Sequence, residues 1–177
     1  MSAWLFETER LAVRSMQPLD EGNLWAVYGD PEAMRYVHDG QPIPREDCAR
    51  WVEVTARNVE QRGYGMSAIE LRELQGGDTN PVIGFCGLVH PGGQPEVELK
   101  YALLKEHWGQ GLATEAARGL LAWGAERFGI DAVIATTAPR NVGSHRVLAK
   151  CGFERGELRV EDDSEQVLVF RWRRPSE

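Results

Sequence analysis

Two glycines one residue apart, Gly109 and Gly111, sit where an alternating apolar segment ending at Leu103-Leu104 gives way to a run of helical periodicity. The first amides of a helix have no intrahelical acceptor. With the helix dipole they form an anion site, worth about 0.3–1 kcal/mol per charge when exposed. A residue without a Cβ lets a phosphate reach the main chain and lets the turn take a positive φ. Leu103-Leu104-Lys105-Glu106-His107-Trp108-Gly109-Gln110-Gly111-Leu112-Ala113-Thr114-Glu115-Ala116 therefore suits a pyrophosphate held by backbone N–H groups. A plain strand-to-helix turn would carry the same glycines. Two other nucleotide loops are excluded. A Walker loop ends Gly-Lys-Ser/Thr, and Gly111 is followed by Leu112. A Gly-x-Gly-x-x-Gly loop needs a glycine where Thr114 stands, and the chain that follows is too short for the second half of a doubly wound sheet.

Other chemistries lack their residues. His38, His90, His107 and His145 show no HExxH spacing, and Cys48, Cys86 and Cys151 form no CxxC pair, so no metal is expected. The cysteines read as ordinary buried or partly exposed thiols. Nothing places a base beside Cys151 to make it a nucleophile.

The elements that must position the loop follow from periodicity. Glu9–Gln17 contains a short alternating strand that Pro18 ends, and Asp20–Tyr28 reads as a helix. Asp30-Pro31-Glu32 has the order of a helix start. Arg45–Arg62 carries Cys48, Trp51, Val52 and Val59 on one stripe. Strands are expected at Tyr64–Leu71, Val82–Val89 and Glu96–Leu104, with a loop at Gly76–Pro81. Gly84 and Gly87 suggest a close backbone approach. In Glu96–Leu104, Val97, Leu99, Tyr101 and Leu103 share one face and Glu96, Glu98, Lys100 and Ala102 the other. Gly111–Phe128 is the clearest helix, ended by Gly129. Asp131–Thr137 is a strand, Asn141–Lys150 a helix, and Gly152–Val160 and Gln166–Arg173 a closing pair of strands before a frayed tail at Arg173–Glu177. The expectation is one domain over residues 1–177, a mixed α/β sheet covered by helices.

Trp108-Gly109-Gln110-Gly111-Leu112-Ala113 resembles the signature loop of the GNAT acetyltransferases, Gln/Arg-x-x-Gly-x-Gly/Ala. Trp108 stands for the usual Gln/Arg, as in the branch that acetylates ribosomal-protein N-termini. Asn141-Val142-Gly143-Ser144-His145-Arg146-Val147-Leu148-Ala149-Lys150-Cys151-Gly152-Phe153 resembles that branch's Asn-x-x-Ser-x-x-Val-x-x-Lys-x-Gly-Phe. Thr8-Glu9-Arg10-Leu11-Ala12-Val13-Arg14, with Asp30-Pro31, resembles its N-terminal block. Three blocks in order cover nearly the whole chain.

The resemblance implies a GNAT fold: a twisted, mostly antiparallel sheet of about seven strands, flanked by helices on both faces. It implies acetyl-CoA as co-substrate. Gly109, Gln110, Gly111, Leu112, Ala113 and Thr114 would hold the pyrophosphate through their amides, with Trp108 beside them. The main chain at Leu103 and Leu104 would line the pantetheine arm, and Asn141, Ser144 and Arg146 would complete the cofactor side. Asn141 could equally be a helix N-cap. In the family the strand carrying Leu103 splays from the strand at Asp131–Thr137, and the thioester sits between them. Glu98 occupies the position of a glutamate that can act as general base. It could instead pair with Lys100 or an arginine, or orient the substrate's ammonium. Ser144 is the candidate proton donor to the leaving thiolate, because Leu148 stands where many GNAT enzymes place a tyrosine.

The acceptor would be a primary amine, either a protein N-terminus or a small molecule, acetylated directly in a ternary complex. The loops around Val37–Pro44 and Gly156–Glu165 would select it. Catalytically silent acyl-CoA binding is the alternative, and a purely structural interaction module is a third reading. Homodimerisation is an expectation from the family. A net charge of −7 argues against nucleic-acid binding through a basic surface. No apolar run approaches the roughly 20 residues that span a bilayer, and the N-terminus lacks signal-peptide features, so a cytoplasmic protein is expected.

Overall fold

The computed structural model describes residues 4–37, 40–72, 80–161 and 165–176. The chain forms strands β1 (Trp4–Glu7) and β2 (Leu11–Ser15), helices α1 (Glu21–Tyr28) and α2 (Asp47–Arg62), and strands β3 (Met66–Leu71), β4 (Val82–Val89) and β5 (Glu98–Leu103). Helix α3 (Leu112–Phe128), strand β6 (Ala132–Thr137), helix α4 (Val142–Lys150) and strands β7 (Glu154–Val160) and β8 (Gln166–Arg173) complete it.

One eight-stranded sheet runs in the order β1-β2-β3-β4-β5-β6-β8-β7. The eighth strand, against about seven expected, is Trp4–Glu7, which pairs antiparallel with β2. Its four residues are too few to display a period. All neighbouring pairs are antiparallel except β5 and β6. That parallel pair holds at a single register point, Glu98 opposite Ile134.

The apolar residues sort to the two faces of the sheet by strand alternation, apart from a break at Ile83, where the β3–β4 register shifts. On one face Leu99, Leu103, Ile83, Leu88, Val133 and Ala135 pack with Ala116, Ala117, Leu120 and Leu121 of α3 and Leu148 of α4. On the other, Ala68 and Phe85 pack with Leu24 and Val27 of α1 and Cys48 and Val52 of α2. The close approach signalled by Gly84 is to the neighbouring strand. A Cβ there would sit 2.3 Å from the Ala102 carbonyl oxygen. All three cysteines are buried.

Two local expectations are corrected. Asp30-Pro31-Glu32 opens a series of turns over residues 31–36 rather than a helix. The Asp30 Oδ1 accepts from the amides of Glu32 and Ala33, as a cap would. No amphipathic run follows it, so only turns form. The supposed tail at Arg173 is also tied down: Arg173 ends β8, and the Arg174 amide donates to the Asp131 carbonyl. The loop expected at Gly76–Pro81 lies mostly outside the described residues.

Arg14 on β2 anchors the acidic start of α1. Its guanidinium meets Asp20 at 2.8 Å and Glu70 of β3 at 2.5 Å, and all three side chains are largely buried. Burial opposes ionisation of Asp20, but the Arg14 guanidinium and the Gln17 amide outweigh it and hold the carboxyl below its usual range. The pair therefore stabilises the fold above the unfolded carboxylate pKa near about 4, and that contribution is lost as pH falls through the lower folded value. Arg14→Met is expected to cost about 3–5 kcal/mol at neutral pH by leaving two buried carboxylates unpaired. Urea titrations at pH 7 and pH 3 check this, and the difference from wild type should shrink at the lower pH.

Candidate functional site

Beyond Glu98 and Ile134, β5 and β6 part. The Val97 carbonyl accepts from the Ile134 amide on the β6 side, at 2.8 Å. The Leu104 amide donates to the Ile83 carbonyl on the β4 side, also at 2.8 Å. Alternation between these points turns the main-chain groups of Leu99, Tyr101 and Leu103 toward the gap. Of the two expected backbone contributors, Leu103 thus faces the gap, while the Leu104 amide is committed to β4. The Leu103 carbonyl already accepts from the Trp108 indole, Nε1 to O 2.9 Å. Trp108 thereby folds the following loop back over the strand end.

That loop makes one 3-10 turn at Lys105–His107 and then passes through Gly109 (φ 72°) and Gly111 (φ 78°), both left-handed. No atom would lie within 4 Å of a Cβ on Gly109, so the loop presents bare main chain outward. Gln110 is turned inward onto the loop, its Nε2 donating to the Glu106 carbonyl at 3.1 Å. Leu112 and Thr114 are buried, so only their amides are available to a ligand.

A brace that reaches the loop from the other end of the chain holds it in place. Glu115, in the first turn of α3, accepts from the Thr8 hydroxyl at 2.6 Å, the Arg10 amide at 2.8 Å and the Arg10 Nε at 2.7 Å. Arg10 Nη1 also donates to the Gln110 carbonyl at 2.8 Å. Burial opposes the Glu115 charge, yet these donors hold its carboxyl below the ordinary range. The Thr8–Arg10 block is therefore the support of the glycine loop.

Two polar clusters flank β5 where it parts from β6. On one face Glu98 is buried, its Oε1 accepting from Thr136 Oγ1 and Lys100 Nζ at 2.6 Å each, and its Oε2 from Gln94 Nε2 at 3.1 Å. The pairing with Lys100 is thus realised. A carboxylate offers about four lone-pair sites, so about one remains. Gln94 is steadied in turn by its carbonyl, which accepts from His90 Nδ1 at 3.0 Å. On the opposite face the Tyr101 hydroxyl meets Ser144 Oγ at 2.6 Å, linking β5 to α4. Burial pushes the Tyr101 phenol up to about 12. Asn141 caps α4, its Oδ1 accepting from the Ser144 amide at 3.2 Å. Leu148 is fully buried in the core, while Arg146 is exposed on α4.

Four participants were not read from the sequence: Tyr101, Thr136, Gln94 and the Arg10–Glu115 contact. Tyr101 and Thr136 carry only the signal of a polar group on an otherwise apolar or β-branched face, and Gln94 only that of a polar residue in a Pro/Gly turn. The fourth spans 105 positions and carries no local signal. Among the described residues no group of three or more His, Cys, Asp or Glu side chains could hold a metal ion. No helix of the described residues is long and apolar enough to cross a membrane. A surface cavity of about 560 Å³ lies beside Trp123 and Phe128, at the far end of α3 from the glycine loop, and contains none of these groups.

The family pattern for the acetyltransferase (GNAT) domain matches residues 10–154. This chain belongs to the GNAT acetyltransferase family. An uncharacterized protein of Bacillus subtilis (strain 168), YkkB, is 32% identical over 148 residues, covering 82% of each chain. The crystal structure of an acetyltransferase from Agrobacterium tumefaciens str. C58 superposes with a TM-score of 0.75 at 26% identity, over 96% of this chain and 94% of that one. RimL, a ribosomal L7/L12 α-N-protein acetyltransferase solved with coenzyme A, has the same fold, with a TM-score of 0.75 at 16% identity over 96% and 97%. The expected GNAT fold is the one found, with eight strands and helices on both faces.

If the N-terminal brace sets the glycine loop, removing it should loosen that loop without unfolding the sheet. Arg10→Met is expected to speed amide hydrogen exchange at residues 109–112 by about tenfold, the equivalent of 1.4 kcal/mol of local opening. Exchange in β3 and β4 should stay at the wild-type rate, as mass spectrometry of peptides from both regions can check.

Proposed function

We propose that this protein is an N-acetyltransferase that moves the acetyl group of acetyl-CoA directly to a primary amine within a ternary complex. The observation that carries the reading is the parting of β5 and β6 immediately beside a left-handed glycine loop at the start of α3. The gap accepts an extended arm, and the loop accepts the phosphates at its end.

In this reading the amides of residues 109–114 bind the pyrophosphate, aided by the α3 dipole. Main chain at Leu99 and Tyr101, on the open edge of β5, pairs with the pantetheine amides and places the thioester in the gap. The acceptor arrives as an ammonium and must lose a proton before its nitrogen can attack the thioester carbonyl. Glu98, with about one lone-pair site left by its three donors, takes that proton directly or through water. The tetrahedral intermediate then collapses with loss of the coenzyme A thiolate. Ser144 is the donor to that sulfur. Tyr101, kept protonated by burial, donates to Ser144 Oγ and leaves the serine's own proton for the leaving group. Asn141 holds the start of α4, and so Ser144, in position. Arg146 is placed at the cofactor's outer end. The acceptor class stays with the family's range of protein N-termini and small amines.

Calorimetric titration with acetyl-CoA, followed by thiol release over a panel of amines and short peptides, tests the proposal. Release with at least one amine is expected. Binding without release from any amine would favour a silent acyl-CoA binder, and no binding by folded protein would remove the assignment. Gly111→Asp, which sets a strained side chain and a negative charge against the loop, should weaken acetyl-CoA binding by about a hundredfold, or roughly 2.7 kcal/mol. Glu98→Gln should lower turnover by about a hundredfold, within the range of general-base effects, and change cofactor affinity much less.

A further inference from the structure

Lys100 is the residue after Glu98 on the same face of β5, one step into the gap. Its ε-amine lies 2.6 Å from Glu98 Oε1. The side chain is about 38% exposed, so it is not sealed within the core. A primary amine thus stands against the carboxylate assigned as base, in the space where an acceptor amine would have to come. The chain has two other lysines, and neither shares this setting. Lys105 is exposed and pairs with Glu32, outside the gap, and Lys150 is exposed at the end of α4.

We propose that Lys100 is itself an acetyl acceptor, modified within its own active site when acetyl-CoA is bound and no external amine occupies the cleft. This rests on the acetyl-transfer reading above. The balance is that of the intermolecular reaction. Glu98 takes a proton from the Lys100 ammonium, and the free amine forms a C–N bond to the thioester carbonyl carbon. The C–S bond breaks, the nitrogen gives up its second proton to become the amide, and the coenzyme A sulfur leaves as thiolate and takes up that proton. The product is an Nε-acetyl amide, which carries no charge and cannot keep the ion pair with Glu98. Modification would therefore open one acceptor position on Glu98 Oε1, which Thr136 still contacts, and remove a cation from the acceptor cleft. An incoming ammonium substrate meets Lys100 as a competitor for that oxygen before modification, and meets no competing cation there afterwards.

The test is incubation of the purified protein with acetyl-CoA alone, with acetylation at Lys100, Lys105 and Lys150 followed over time by peptide mass spectrometry. Lys100 is expected to be acetylated on the order of a hundredfold faster than the other two, the scale of a positioned proton acceptor. Its rate per molecule should not change with protein concentration, as a reaction in cis requires. Glu98→Gln should bring Lys100 down to the rate of Lys105. The advantage should also vanish in wild-type protein unfolded in urea. Acetylation of Lys100 no faster than the other lysines, in a sample that calorimetry shows to bind acetyl-CoA and that releases thiol with an added amine, would overturn this proposal and leave the acetyl-transfer reading standing. Failure to bind acetyl-CoA would overturn both.

Discussion

One register point, Glu98 opposite Ile134, decides what the rest of the sheet can do. Up to that point β5 and β6 are neighbours in a continuous sheet, and beyond it their main chains separate. A sheet edge with unpaired N–H and C=O groups is costly unless something meets them. Here it opens inside the domain, with β1 to β4 on one side and β8 and β7 on the other. The two halves are held apart by different helices, α3 lying over β4 and β5 and α4 over β6 and β7. An internal edge of this kind selects for an extended ligand that offers amides of its own.

The charge of the chain explains why so much is invested in the loop at the start of α3. A net charge of −7 gives no general attraction for a polyphosphate, so local donors must supply it. Under the proposed function the loop would do this with main chain, for which its left-handed glycines are suited, and it would have to be held still for those amides to converge. Trp108 ties it to the end of β5, and Arg10 ties it to the turn between β1 and β2. Glu115 brings a negative charge to the first turn of the same helix, but three donors from Thr8 and Arg10 surround it. The acid is used as a fastener, and its charge is neutralised by its partners.

Strand alternation also separates the two polar clusters that the proposed function assigns to proton transfer. Glu98 and Lys100 face one side of β5, and Tyr101, with its hydroxyl on Ser144, faces the other. A thioester lying between β5 and β6 would have a carboxylate on the side from which an amine approaches and a pair of hydroxyls on the side of the departing sulfur. Under the proposed function, positions three residues apart on one strand would serve opposite ends of a single bond exchange.

The amino-acid sequence by itself determined the elements and the family. Its alternation located β3 and β5, its helical stripe set α3, and its glycine spacing located the loop, because these depend on neighbours a few residues away. Glu98, Asn141 and Ser144 were named from the resemblance to the GNAT family. The tertiary structure alone decided what those groups touch. Whether Glu98 pairs with Lys100, whether Tyr101 reaches Ser144, and why the Thr8–Arg10 block matters all depend on contacts across the sheet or across about a hundred positions of chain. The series of turns after Asp30 and the first strand, Trp4–Glu7, likewise escaped the reading. A cap specifies a helix only when an amphipathic run follows it, and four residues become a strand only because β2 is there to pair with them.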